Sequence, residues 1–326
     1  MNRSLRAAVI GASGIGRHHA KWYKALGCKV VAFVGSTPES VYNTGELLRD
    51  TLGIEAEGYD SLQDMLDEME LDIVSICSPP WRHCEHLLAA VKAGVHVMCE
   101  KPLVWDPNET SEEKLLGSAH EMVQAVEDAG VIAAVNTQYA AVAEPYWQLC
   151  KQVHAPVDPH TFRRFYMRMD SRGGVGGTTG KKIWIDLAPH PISVLQALAG
   201  PGEVLWQTVW AKVTEHSTEA EFIYRTERGR EIAASIETCN VSEGSLVRRL
   251  GVNDSLVDYE GRNDEQGVYC AWLKLGDTEQ KAPDFMQTSI SRFVATVQGE
   301  TTPLATLRDG YANLEMQLRL VENCSS

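Results

Sequence analysis

Two hydrophobic rhythms divide the chain. Up to about residue 135, short apolar runs at 6–10 (RAAVI), 28–34 (CKVVAFV), 72–77 (DIVSIC), 95–99 (VHVMC) and 131–135 (VIAAV) alternate with stretches of helical periodicity at 15–27, 39–52, 61–70, 81–93 and 111–129. Near-continuous apolar strands are covered on both faces, and their alternation with helices predicts a parallel, doubly wound sheet. After helical stretches near 144–153 and 189–199, the period changes to two over 161–170, 204–214, 220–226, 230–240, 245–250 and 267–275. These runs predict a large, mainly antiparallel open sheet with one solvated face. A final helix is expected over 309–322. No repeat or flexible linker interrupts the chain, so the change of period alone sets two α/β domains, 1–135 and 136–326, with the last helix free to pack back on the first.

Composition narrows the classes. The 326 residues are 44% hydrophobic and 23% charged, enough for two globular domains and far from disorder. A net charge of -14 repels nucleic acid and anionic lipid, which excludes both as expected partners. No apolar run approaches the ~18 residues that span a bilayer. The start, Met1-Asn-Arg-Ser-Leu-Arg, runs into a strand without a signal-peptide core, so a soluble, cytoplasmic protein is expected. None of the eight cysteines forms a CxxC pair, and His83 and His86 have no supporting ligands, so no metal site is expected.

The first strand ends in Gly11-Ala12-Ser13-Gly14-Ile15-Gly16-Arg17-His18-His19 and leads into a helix. Glycines at such a turn let the backbone approach a pyrophosphate seated on the helix N-terminus, which predicts a dinucleotide-binding Rossmann domain. Ser13 stands in place of the middle glycine of GxGxxG. An NAD-specific site wants an acid at the end of the second strand, but the sequence there is Phe33-Val34-Gly35-Ser36-Thr37-Pro38. The hydroxyls of Ser36 and Thr37, with Arg17, suit a 2′-phosphate, which favours NADP over NAD.

Two further motifs carry polar chemistry. Cys99-Glu100-Lys101-Pro102 ends another strand at the carboxyl edge, where a lysine can polarise an oxygen. Asp186 and His190 are four apart, which on one helix projects them from one face, although Pro189 and Pro191 interrupt that helix. A histidine so placed exchanges protons near neutral pH; the alternative for His190 is a buried core residue. The glycine stretch from Gly173 to Gly180 fails as a P-loop, with Val175 where the first glycine belongs and Lys182 in place of Ser or Thr. A short-chain dehydrogenase is also excluded, because Tyr146 and Lys151 are five apart rather than four.

Together GxSGIGRHH, Ser78-Pro79-Pro80-x2-His83, AGVHVMCEKP and DxxxH resemble the glucose–fructose oxidoreductase / inositol dehydrogenase (Gfo/Idh/MocA) family over nearly the whole chain. The resemblance implies an N-terminal Rossmann domain and a second α/β domain whose open sheet binds substrate and forms a homodimer or homotetramer. It implies hydride transfer between NAD or NADP and a secondary alcohol or ketone of a sugar, polyol or related compound. Lys101 would contact substrate and cofactor ribose, His190 would move the proton, and Asp186 would hold the hydroxyl or the histidine. Gly11, Gly14 and Gly16 would line the pyrophosphate, flanked by Ser13, Ile15 and Arg17; Ser78, Pro79, His83 and Glu100 would line the nicotinamide side. Asn136, Gln138, Arg168 and Trp184 are the substrate-contact candidates. Several positions depart from the family pattern: Ala188 and Ser193 near the histidine, and Asn136-Thr137-Gln138-Tyr139 where Asn-Arg-Arg-Phe is usual. The missing arginines argue against an anionic substrate. The same site would also serve transient oxidation by a tightly held cofactor, giving hydrolysis, elimination or epimerisation; a non-catalytic dinucleotide sensor is the lesser alternative. Trp206, Trp210 and Trp272 are candidates for an oligomer interface or for core packing.

Overall fold

The structure is a computed structural model that describes residues 3–109, 111–153, 158–172 and 179–322. It forms two compact units, residues 1–136 with 289–311, and residues 137–288 with 312–326. The glycine stretch 173–178 lies outside the described residues. No helix among the described residues is long and apolar enough to cross a membrane.

In the first unit, strands β1 (Arg6–Ile10), β2 (Lys29–Val34), β3 (Glu57–Tyr59), β4 (Ile73–Ile76), β5 (His96–Glu100) and β6 (Ala133–Asn136) pair in parallel in the order β3-β2-β1-β4-β5-β6. Helices α1 (Ile15–Ala25), α2 (Pro38–Leu52), α3 (Leu62–Glu68), α4 (His83–Lys92) and α5 (Glu112–Ala129) connect them. The apolar runs predicted this: Ala7 to Val9 and Ile73, Val74 and Ile76 are fully buried in the middle of the sheet. Helix ends follow local chemistry. Thr37, Ser61 and Ser111 accept from the backbone N–H of Ser40, Asp64 and Lys114, and Gly53 and Gly130 close α2 and α5 in the left-handed conformation. Strand order reverses at β1, between β2 and β4, which puts the turns after β1, β2, β4 and β5 at one sheet edge.

The second unit contains α6 (Ala143–Val153), β7 (Arg164–Ser171), α7 (Gly180–Leu187), α8 (Pro189–Ala199), β8 (Gly202–Val204), β9 (Trp210–Val213), β10 (Ser217–Thr226) and β11 (Glu231–Asn240). It continues with β12 (Arg248–Val252), β13 (Ser255–Asn263), β14 (Tyr269–Leu275) and β15 (Thr278–Pro283); α9 (Phe285–Val297) and α10 (Leu307–Arg319) follow. The sheet runs β15-β14-β13-β12-β7-β11-β10-β8, with β9 also paired to β10. All pairs are antiparallel except β7 with β11, which is parallel, so the sheet is mixed at its centre. Alternation is strict: Phe165, Met167 and Met169 are buried beside Phe222, Ile232, Ile236 and Leu250, on the face that receives α6, α7 and α8. Tyr166, Arg168, Glu221 and Glu237 take the opposite parity and lie on the open face. Trp206 and Trp210 are among the exposed residues, whereas Trp272 packs under the Arg262 guanidinium at 4.2 Å.

The period analysis missed several elements. β3 is three residues long, and β13 and β15 place charged residues on alternate positions without a continuous apolar partner set. α7 and α9 were also not anticipated, and 204–214 proves to be two strands joined by a short turn at Trp206–Thr208.

Tyr146 fastens α6 to the sheet: its hydroxyl donates to the Ser255 carbonyl at 2.8 Å and accepts from the Val252 N–H at 2.9 Å. Tyr146→Phe leaves both buried backbone groups unsatisfied, so urea unfolding should show a loss of about 2 kcal/mol. An unchanged midpoint would contradict the role given to this hydroxyl.

Candidate active site

The turn after β1 is closed by backbone contact. Gly11 has φ +84°, and a Cβ there would lie 2.7 Å from the Cys77 carbonyl oxygen; one on Gly16 would lie 2.4 Å from the Gly11 carbonyl oxygen. Gly14 differs, because a Cβ there would meet nothing within 4 Å. Ser13, Gly14 and Ile15 are exposed, and α1 starts without a side-chain cap. Two glycines are thus needed for packing, and the third leaves open space at a helix end whose first N–H groups no side chain covers. That arrangement fits a dinucleotide pyrophosphate.

Beyond β2, a Cβ on Gly35 would lie 2.9 Å from Val41 Cγ2 and 3.0 Å from the Val41 nitrogen, so the usual position of the NAD-selecting acid is closed to side chains. A cavity of about 370 Å³ here is lined by Ser13, Thr37, Glu39, Ser40, Asn43, Thr44 and Leu47. It brings Ser13 and Thr37 together; Arg17 and Ser36, which were expected beside Thr37, are not in its lining. Glu39, Ser40 and Asn43 were missed, because they belong to the first turns of α2 and carry no motif.

After β4 and β5, two of the residues expected on the nicotinamide side have protein partners. Glu100 and His83 are buried, at 7% and 0% exposure, and their polar atoms turn to protein partners rather than outward. Glu100 Oε1 accepts from Asn136 Nδ2 at 2.5 Å and lies 2.9 Å from His19 Nε2, while His19 Nδ1 lies 2.8 Å from Ser75 Oγ, which also meets the Tyr23 hydroxyl at 2.7 Å. The other carboxylate oxygen accepts from the Lys101 N–H at 3.2 Å. Burial pushes the Glu100 carboxyl up, but His19 and Asn136 outweigh it and hold it below the usual carboxylate range. Asn136, expected at the substrate, belongs to this buried network instead. His83 lies between the Ser78 carbonyl at 2.9 Å and the Pro102 and Leu103 carbonyls at 3.1 and 3.2 Å, linking the turn after β4 to the residues that follow Lys101. Lys101 itself is half-buried, joined to Pro102 by a cis peptide bond.

In the second unit, Asp186 and His190 fall on consecutive helices, α7 and α8, rather than on one. Pro189 has no N–H to give the Ile185 carbonyl, which accepts from Gln317 Nε2 at 2.6 Å instead. Ala188 keeps helical angles at the junction (φ −57°, ψ −30°), and Asp186 is exposed. His190 is 5% exposed, and its ring packs on Tyr139 with centroids 4.7 Å apart. Tyr139 in turn meets Tyr259 at 5.4 Å and Phe285 at 5.8 Å. Gln138 is half-buried in the turn that presents Tyr139. Two substrate candidates are displaced. Trp184 is wholly buried with its N–H on the Gln317 carbonyl at 2.8 Å, and Arg168 lies on the open face, paired with Asp170 at 3.0 Å and Glu237 at 3.5 Å.

Residues 5–137 match the oxidoreductase family with an NAD-binding Rossmann fold, Gfo/Idh/MocA. The match covers the part of the chain that carries the glycine turn and the parallel sheet. Over 97% of its length the chain is 24% identical to 1,5-anhydro-D-fructose reductase of Ensifer adhaerens, covering 95% of it. It is 37% identical to D-glucoside 3-dehydrogenase of Escherichia coli (strain K12) over 110 residues, 33% of this chain and 30% of that protein. The crystal structure of UDP-N-acetylglucosamine 3-dehydrogenase from Acidithiobacillus ferrooxidans shares the fold, with a TM-score of 0.73 at 18% identity, covering 98% of this chain and 97% of that one.

The buried histidines near Lys101 make stability depend on pH. Burial, and then the Arg82 charge, pull His86 down to about 4, and burial lowers His83 against its carbonyl partners. Unfolded histidine titrates near 6.5, so between about pH 6.5 and 4 the unfolded chain holds the extra proton. For His86, stability therefore falls as pH falls through that window, by up to about 1.4 kcal/mol per pH unit, and levels off below it; His83 acts in the same direction. Urea unfolding at several pH values should show this slope, and His86→Gln should reduce it. A slope unchanged by the substitution would remove His86 as its source.

Proposed function

We propose that the chain is an NAD(P)-dependent oxidoreductase acting on a secondary alcohol or ketone of a sugar, polyol or related compound. The observation that carries this reading is the glycine turn: two glycines closed by backbone and one facing open space at an uncapped helix start. The names of the relatives, a reductase of an anhydrosugar and a dehydrogenase of a glucoside, support the substrate class. The first domain, 1–135, would hold the dinucleotide and the second, 136–326, the substrate.

Bound nicotinamide would supply the hydride acceptor or donor. The residues of the chain do the rest. In the oxidative direction His190 takes the hydroxyl proton, and Lys101 stabilises the oxygen while negative charge builds on it; reduction reverses both steps. Asp186 orients the hydroxyl or the histidine. Glu100, bound through its carboxylate to the Lys101 N–H, keeps the lysine backbone in place.

The cavity beyond β2 supports NADP over NAD. Gly35 admits no acid to accept from a ribose hydroxyl, and the Thr37 and Ser40 hydroxyls sit at the N-terminus of the 15-residue α2, where anions are favoured. Glu39 opposes this, being a carboxylate in the same lining. Fluorescence titration should therefore show tighter binding of NADPH than of NADH, with Glu39→Gln widening the gap. Stronger NADH binding would overturn the preference and leave the enzyme assignment intact.

Removing the acid/base group tests the reaction itself. His190→Ala should lower kcat by roughly 10²–10⁴ while nucleotide affinity is unchanged. Full turnover in that variant would exclude His190 from the proton transfer.

A further inference from the structure

Two adjacent arginines on β12 meet different fates. Arg249, on the open face, forms a bidentate pair with Asp258 at 2.7 and 2.9 Å. Arg248 shares the parity of Leu250 and Val252 and so points to the helix-bearing face. It is half-buried, its Nε is shielded from solvent without a hydrogen-bond partner, and among the described residues no carboxylate lies within ion-pair distance. Its guanidinium carbon stands 5.8 Å from the Tyr259 ring centroid. Tyr259 contacts Tyr139, and Tyr139 contacts His190, so one run of rings joins Arg248 to the acid/base histidine.

No described carboxylate forms an ion pair with this cation, although Asp284 acts on the same Tyr139 and Tyr259 hydroxyls as Arg248 does. Asp284 is the nearby acid, and its carboxylate caps α9, accepting from the Met286 N–H at 3.2 Å. Burial pushes the Tyr139 hydroxyl up to about 12 and Tyr259 higher still, so both remain neutral hydroxyls. In a chain of net charge -14, the neighbouring sheet cations Arg168, Arg249 and Arg262 all have carboxylate partners. A half-buried guanidinium with a desolvated, unbonded N–H is costly to keep unless something else accepts from it. Aromatic walls with one convergent cation are also the usual make-up of a small-molecule site.

We propose that Arg248 receives an anionic oxygen group of the substrate, a carboxylate or a phosphate, so that the enzyme acts on an acidic sugar or polyol derivative. The inference rests on the oxidoreductase reading given above. It reverses the expectation drawn from the missing arginines at Thr137 and Gln138: the cation enters from β12, far away in sequence. Guanidinium meets either anion through paired N–H groups, and the run of rings leads from that contact toward His190.

The test compares D-glucuronate, D-glucose 6-phosphate and D-glucose as substrates with NADP and NAD, in the wild type, Arg248→Met, Arg248→Lys and the open-face control Arg249→Met. One anionic sugar should exceed glucose in kcat/KM in the wild type, and whether the carboxylate or the phosphate does so identifies the group. Arg248→Met should cut the anionic-to-neutral ratio by roughly 10- to 100-fold, Arg248→Lys by less, and Arg249→Met should leave it unchanged. Glucose preferred in the wild type, or a ratio indifferent to Arg248→Met, overturns the assignment. Calorimetric binding of the two anionic sugars to the nucleotide-loaded protein separates this failure from failure of the enzyme reading. Binding that Arg248→Met abolishes, without turnover of any sugar, upholds the anion site and removes the oxidoreductase reaction. Absence of binding to wild type and variant alike removes the anion site. Arg248→Lys keeps the comparison valid if the methionine variant misfolds.

Discussion

Glu100 is a carboxylate held almost entirely away from water at the end of β5, and a buried charge persists only when its oxygens are satisfied. His19 from α1, Asn136 from β6 and the Lys101 N–H meet that demand, and Ser75 from β4 orients the histidine from behind. One charge therefore ties the first helix to three strands of the parallel sheet. Removing a single partner from such a group typically costs about 3–5 kcal/mol. The position of Lys101 is a consequence of this network, reinforced by His83, which links the turn after β4 to the Pro102 carbonyl just beyond the lysine.

The second unit solves a comparable problem at its proline-rich junction. Pro189 leaves the Ile185 carbonyl without its helical donor, and the Gln317 side-chain amide supplies one, while Asn313 Nδ2 donates to the Pro189 carbonyl at 2.9 Å. Trp184 adds its N–H to the Gln317 backbone. The C-terminal half of α10 thereby repairs the break between α7 and α8, and His190 sits on a helix start that would otherwise fray. Its ring then rests on Tyr139, whose neighbours Tyr259 and Phe285 come from β13 and α9.

Legibility in the sequence follows the range of the forces involved. The parallel sheet was readable because strands buried on both faces must be apolar throughout, and the glycine turn because backbone contacts at Gly11 and Gly16 exclude every other residue. β13 and β15 were not, since a strand with one solvated face and charged residues at alternate positions looks like loop. Lys101 and His190 were found by motif. Tyr139 was noted only as a departure from the family pattern, and Arg248 was not noticed, because the register between β7, β12 and β13 decides which way those side chains point. Glu100, His83 and Asn136 were singled out by motif or by position after β6, but their burial and hydrogen bonds to His19, to one another and to backbone carbonyls depend on long-range packing that the sequence does not display.

Hydride transfer between nicotinamide and a carbon bearing oxygen is the step on which the proposed function stands. The direct measurement is isotope transfer. Reduced nicotinamide cofactor carrying deuterium at C4 is incubated with the protein and a mixture of sugars, polyols and their keto forms, and the products are analysed by mass spectrometry. Deuterium is expected at one carbinol carbon of one compound, appearing at a rate lower by roughly 10²–10⁴ when His190→Ala replaces the wild type and likewise slowed by Lys101→Met. A folded protein that binds the cofactor yet transfers no label to any compound would contradict it.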